Sequence, residues 1–180
     1  MQRRRSGSSG WVHGWGVNRA ERLANLLFIG ACVADAAAPA LVLAGVLTPI
    51  GVVDVLAAHL AGLALLALSL PAALLVQRAM GGAWRTGIDP RFMTPLVTQG
   101  PFAVVRNPFY SITFMASAGV ALLVPTVLAP LSLGLCFAAV ETITRFVEEP
   151  FLLSRHGSAY RAYAASVGRF FPTVGRLRLG

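Results

Sequence analysis

The run from Val55 to Val76 holds 22 residues and no formally charged side chain. A helix needs about 20 apolar residues to cross a hydrocarbon core, so this run predicts a membrane span. Leu23 to Leu47 is comparable, interrupted only by Asp35 and Pro39 as notable exceptions. Asn107 to Val140 is free of formal charge for 34 residues, too long for one perpendicular crossing at about 1.5 Å per residue. Pro125 and Pro130 bracket a place to turn, which divides that stretch into a short hairpin, Pro108 to Val124 and then Leu128 to Thr144. The fold class expected is an all-α integral membrane bundle of about four transmembrane helices, followed by a C-terminal interfacial helix. Composition agrees: 56% of residues are hydrophobic and 12% charged, against roughly 25% charged in ordinary soluble domains.

All 15 basic residues are arginine, against 7 acidic residues, for a formal net charge of +8. Such a balance raises nucleic acid as a partner, but the positions of the arginines argue otherwise. Arg3, Arg4, Arg5, Arg19 and Arg22 precede the first span, and Arg78, Arg85, Arg91 and Arg106 lie between the second and third. Arg145, Arg155, Arg161, Arg169, Arg176 and Arg178 follow the fourth. With four spans every arginine falls on one side, which the positive-inside rule makes the cytoplasm, together with both termini. The charge therefore reads as topology and attraction to membrane lipids, with no nucleic acid expected. The arginine-only, alanine-rich composition points to a bacterial inner membrane.

Three regions follow. Residues 1–10 are polar and Gly/Ser-rich, expected as a disordered N-terminus or an appended tail. Residues 11–79 form a two-span hairpin that Trp11, His13 and Trp15 approach at the interface, and residues 80–180 hold the two short spans and the unusual cytoplasmic segments. Cys32 and Cys136 both lie in spans, so the sequence predicts neither a disulfide framework nor a metal site.

The connection from Arg78 to Tyr110 is dense in Gly, Pro, Trp and Arg, the mixture used where backbone turns tightly beside a ligand. Asn107 is a favoured N-cap and Pro108 a favoured first helical residue, so the third span should begin there with free N–H groups beside Arg106. That is an anion site suited to a carboxylate or phosphate, or else a plain helix start with Arg106 reaching to head groups. Glu148 and Glu149 follow the fourth span, where the helix dipole disfavours acids, and Pro150 biases Glu149 away from helical geometry. They need cationic partners, either Arg145 or Arg106 in an ion pair or a cationic ligand. Tyr160, Tyr163, Val167 and Phe171 fall near one helical face flanked by Arg161 and Arg169. An anion-binding helix start, paired acids and aromatic walls fit S-adenosylmethionine, whose carboxylate, ammonium, ribose and adenine match them in turn.

The strings GPFAVVRNPFY and EEPFLLSRHGSAYRAYAASVGRFFP, separated by an apolar hairpin, resemble the isoprenylcysteine carboxyl methyltransferase and phospholipid methyltransferase superfamily over Trp84 to Pro172. The resemblance implies S-adenosylmethionine as cofactor and a lipophilic or lipid substrate entering from the bilayer. It matches Arg106, Asn107, Pro108 and Tyr110 to the arginine-(histidine or asparagine)-proline-x-tyrosine signature and Glu148 and Glu149 to the paired acids. It matches Tyr160, Tyr163, Arg169 and Pro172 to the tyrosine-rich tail. The cofactor-binding set expected is Arg106, Asn107, Pro108, Tyr110, Glu148, Glu149, His156 and Tyr160. Arg145, Glu148 and Arg169 are the catalytic candidates, orienting a carboxylate acceptor or taking a proton from an amine. Trp84, Arg85 and Tyr163 are the substrate-binding candidates.

Carboxyl O-methylation of the isoprenylcysteine type is the first expectation and N-methylation of a phospholipid amine the alternative. Asn107 stands where the isoprenylcysteine type typically has histidine, whereas phospholipid-type members often have asparagine there. A membrane reductase resembles the same C-terminal half but has more spans. A transporter or scaffold draws support from Asp35, an acid within a span, with His59 as its expected partner.

Overall fold

The computed structural model describes residues 18–51, 55–81 and 95–177. The expectations for residues 1–10, for Trp11, His13 and Trp15, and for Trp84 and Arg85 lie outside them. Five helices follow one another: α1 Arg19–Leu43, α2 Val55–Met80, α3 Pro108–Leu123, α4 Leu128–Ile143 and α5 Glu149–Ser166. A short 3-10 turn, Gly100–Ala103, leads into α3, and a π-helical turn, Thr144–Glu148, joins α4 to α5.

Local chemistry sets the ends. Asn18 caps α1 by accepting the Glu21 N–H at 2.8 Å, so the helix starts at Arg19, four residues before the apolar run. The helix stops at Leu43 because Gly45 takes φ +70°, and Gly45 and Val46 donate to the Val42 and Leu41 carbonyls at 3.0 and 2.9 Å. The apolar hairpin divides as the prolines suggest, with Pro130 in the first turn of α4, where its missing N–H costs nothing. Ile50 N–H donates to the Pro125 carbonyl at 2.6 Å, so the α1–α2 and α3–α4 connections meet at the arginine-free end of the bundle.

The end of α4 departs from the expectation. Glu149 is helical, with φ −61° and ψ −45°, and the helical path that begins at Leu128 continues through it to a kink at Gly157. Pro150 does not break it, because the wider π-turn just before it supplies the room that a proline ring lacks in an α-helix interior. The acids therefore line a continuing helix instead of lying past its end.

Helix α1 packs on α4, α2 on α3, and α3 on α4. The contacts use small side chains, as helix association in lipid requires. Ala24, Ala31, Ala34 and Ala38 are the buried side of α1. Between α2 and α3 the backbones nearly touch: a Cβ on Gly119 would lie 2.9 Å from Leu66 Cγ and 3.0 Å from the Gly62 carbonyl oxygen. Gly119→Ala must push the two helices apart, and we expect a loss of about 1–3 kcal/mol, read as a lowered unfolding midpoint in detergent. Gly134, whose added Cβ would meet nothing within 4 Å, is the control, and its alanine variant should unfold like the parent.

Because α1 lies against α4, His59 on α2 does not reach Asp35; it is exposed on the outer surface. Asp35 instead accepts a hydrogen bond from Ser117 Oγ of α3 at 2.8 Å. Outside these contacts the helices present apolar side chains outward, Leu26 and Leu68 being 64% and 59% exposed. Among the described residues, α1, α2 and the stretch that begins with α4 are long and apolar enough to cross a bilayer, and with the shorter apolar α3 they make this an integral membrane protein.

Candidate functional site

The arginine-bearing end of the bundle is tied together by backbone. After α5 the chain returns beside the start of α3, where Arg106 N–H donates to the Gly168 carbonyl at 2.8 Å and Asn107 N–H to the Arg169 carbonyl at 3.0 Å. Position 168 admits only glycine, since a Cβ there would lie 2.1 Å from the Phe171 carbonyl oxygen. The tight turn that results aims Arg169 back into the bundle, with its own N–H bonded to the Val174 carbonyl at 2.7 Å.

Two arginines converge there on one carboxylate. Arg169 grips Glu149 with two parallel bonds, Nε to Oε1 at 2.9 Å and Nη2 to Oε2 at 3.0 Å. Arg106 approaches Glu149 Oε1 from the other side, Nη1 at 2.9 Å, while also donating to the Tyr160 hydroxyl at 3.2 Å and the Gly175 carbonyl at 2.7 Å. All four side chains are buried. Burial opposes the charge of Arg169, but its hydrogen bonds and proximity to Glu149, with Glu141 adding, outweigh that and raise its pKa.

Glu148 is placed differently. It remains partly exposed, and the Tyr110 hydroxyl donates to its Oε1 at 2.6 Å. Burial pushes its pKa up; the Tyr110 hydrogen bond opposes this and neighbouring Glu149 reinforces it. The Tyr110 ring stands edge-on to Phe170 at 6.2 Å, and Phe170 in turn meets Phe114 at 5.8 Å.

Arg106, Asn107, Pro108, Tyr110, Glu148, Glu149, Tyr160 and Arg169 are thus brought together, and Tyr163 closes the flank by donating to the Phe102 carbonyl at 2.6 Å. Asn107 occupies the N-cap position and Pro108 opens α3, but the Asn107 side chain does not cap the helix; its Nδ2 donates to the Arg169 carbonyl at 3.3 Å. Arg145 stands apart, its side chain 56% exposed and paired with Glu141. His156 lies just before a kink at Gly157 (φ 50°, ψ −122°) and makes no described contact with the cluster.

Two participants were missing from the sequence reading. Ser111 Oγ donates to the Phe170 carbonyl at 2.5 Å, pinning the tail to α3. Glu141 bridges Arg145 and Arg169. A signal for Glu141 exists: it precedes Arg145 by four residues and Glu148 by seven, which places all three on one helical face.

An apolar groove of about 420 Å³ runs alongside, lined by Leu65, Ser111, Phe114, Leu133, Phe137 and Phe171 among others. The fold and the site together define a helical membrane protein with a buried ion-pair cluster at the arginine-rich end of its bundle. It belongs to the phospholipid methyltransferase family, whose model matches residues 57–159, more than half of the chain. That match takes in α2, α3 and α4, and stops one residue short of Tyr160. The chain is also similar to the nickel-cobalt-cadmium resistance protein NccN of Alcaligenes xylosoxydans xylosoxydans, 32% identical over 92 residues. The matched segment is 51% of this chain and 42% of that relative, so the chain spans less than half of the relative's length. No solved structure matches the chain.

Proposed function

We propose that the chain transfers a methyl group from S-adenosylmethionine to a lipophilic acceptor that arrives from the bilayer. The observation that carries this reading is the adjacency of groove and cluster: Ser111 and Phe171 in the groove lining are chain neighbours of Tyr110, which bonds Glu148, and of Phe170, which stands against the Tyr110 ring. An apolar tail laid in the groove brings its head to a partly exposed acid.

The residues present fit the cofactor. The first-turn N–H groups of Phe109 and Tyr110 have no acceptor within the helix and Asn107 does not cap them, so they suit a carboxylate. Arg106 Nε is buried and finds no hydrogen-bond partner among the described residues. Glu148 suits an ammonium, while Glu149 has both oxygens committed to arginines. The sulfonium supplies an already activated methyl group, which leaves the chain to orient the acceptor and manage its proton. An amine acceptor fits best, with Glu148 taking the proton, as in N-methylation of a phospholipid. The carboxyl acceptor of the isoprenylcysteine type requires an arginine to hold it beside Glu148, where Arg106 Nη1 and the Nε–Nη2 edge of Arg169 are already committed to Glu149. Trp84 and Arg85 belong, in this reading, to the acceptor's surroundings with Tyr163, and the arginine-rich end faces the cytoplasm of a bacterial inner membrane.

Calorimetric titration of the detergent-purified chain with S-adenosylhomocysteine tests the reading. Saturable binding is expected, with none for NADPH; no heat at millimolar S-adenosylhomocysteine sinks it.

A further inference from the structure

Along α4 and the π-turn that continues it, Leu133, Phe137, Glu141 and Arg145 follow at intervals of four, so each lies about one turn beyond the last in one inclined row. The first two line the apolar groove and the last two belong to the ion-pair network. The groove therefore leads, within about one helical turn (5.4 Å) past Phe137, to a carboxylate held between two guanidinium groups.

That carboxylate is loosely held on its inner side. Arg169 Nη1 lies 3.3 and 3.4 Å from the two oxygens of Glu141, against 2.9 and 3.0 Å for its bonds to Glu149. On its outer side Arg145 spends only Nε on Glu141 among the described contacts. The Glu141 side chain is 20% exposed, so it can leave for solvent without crossing the core.

Two guanidinium groups converging on one oxyanion make a receptor for any phosphate or carboxylate of similar size. We propose that Arg145 and Arg169 bind the oxyanion of an amphiphile's head group, its tail lying in the groove, and that Glu141 holds the place of that oxyanion until it arrives. The assignment of this amphiphile as the methyl acceptor rests on the function proposed above; the binding site does not. In a head group that carries both a phosphate and an amine, the phosphate at Arg145 and Arg169 leaves the amine to Glu148.

Removing the internal carboxylate tells this role from a purely structural one, because the two predict opposite signs. The probes are hexyl phosphate, hexanoate and inorganic phosphate, titrated against the full chain in nonionic detergent. Glu141→Gln should bind the preferred hexyl probe about tenfold more tightly than the parent, and Arg145→Gln about tenfold more weakly. Inorganic phosphate should bind more weakly than hexyl phosphate because it has no tail for the groove. Unchanged or weaker binding by Glu141→Gln overturns the proposal, as does inorganic phosphate binding as tightly as its hexyl ester. Should Glu141→Gln fail to fold, the exposed Arg145 decides alone, and an unchanged affinity in Arg145→Gln is then the overturning result. Whether hexyl phosphate or hexanoate binds better identifies the head group. S-adenosylhomocysteine binding by the parent reports separately on the methyltransferase reading, so either can fail without the other.

Discussion

Glu149→Gln will cost the protein about 3–5 kcal/mol of stability, the usual consequence of taking one partner from a buried ion pair. The cost is set by what stays behind. Arg106 and Arg169 are 5% and 7% exposed, and both direct guanidinium nitrogens at Glu149. A neutral amide leaves two buried cations together, Arg106 without a carboxylate among the described contacts and Arg169 with only the longer contact to Glu141. The unfolding midpoint in detergent should fall sharply, and the return of the tail to α3 should loosen with it, seen as faster amide exchange at Arg106 and Asn107. A second substitution separates this account from simple loss of contacts. Arg106→Met in the Glu149→Gln background removes one stranded cation and should recover part of the loss. Losses that merely add would contradict a strut role for Glu149.

That expectation differs from the one the sequence supports, and the difference shows what a sequence of this kind conceals. Adjacent acids after an apolar span demand cations, and the demand was legible from Glu148 and Glu149. Arg106, one of the two cations the sequence offered, does pair with Glu149, but Arg145 does not and Arg169 was not foreseen as a partner. Arg169 lies 20 residues beyond Glu149 in the chain and meets it only because Gly168 lets the backbone double back. The spans themselves were readable because a bilayer imposes a length on apolar runs, and Asn107-Pro108 marked the start of α3 as its chemistry dictates. Helix rotation was not readable. A span that is apolar on every side carries no stripe to say which face meets protein and which meets lipid. The close approach of Gly62 to Gly119, the pairing of Asp35 with Ser117 and the exposure of His59 all depend on that rotation.

The neighbouring acid should behave in the opposite way. Under the proposed methyl transfer, Glu148→Gln will keep the fold and lose activity by about 10²-fold or more, the scale of a removed proton acceptor. Glu148 is joined to Tyr110 and to no arginine among the described contacts, and an amide oxygen can still accept that hydroxyl's hydrogen bond. Its raised pKa, caused chiefly by burial, means that the folded protein holds the Glu148 proton more tightly than the unfolded chain does. Ionised Glu148 therefore subtracts stability. The cost builds as pH rises from the unfolded value through the raised folded one, and it is absent below both. The glutamine variant escapes this cost and should match or exceed the parent's unfolding midpoint at neutral pH. Activity moves with the same ionisation but in the useful direction: only the carboxylate can take the acceptor's proton, so the parent's rate should fall as pH drops through the raised pKa. The residual rate of Glu148→Gln should lack that limb. A glutamine variant with the parent's rate and pH profile would show that the proton leaves by another route. One that unfolds as readily as Glu149→Gln would show that both acids brace the bundle.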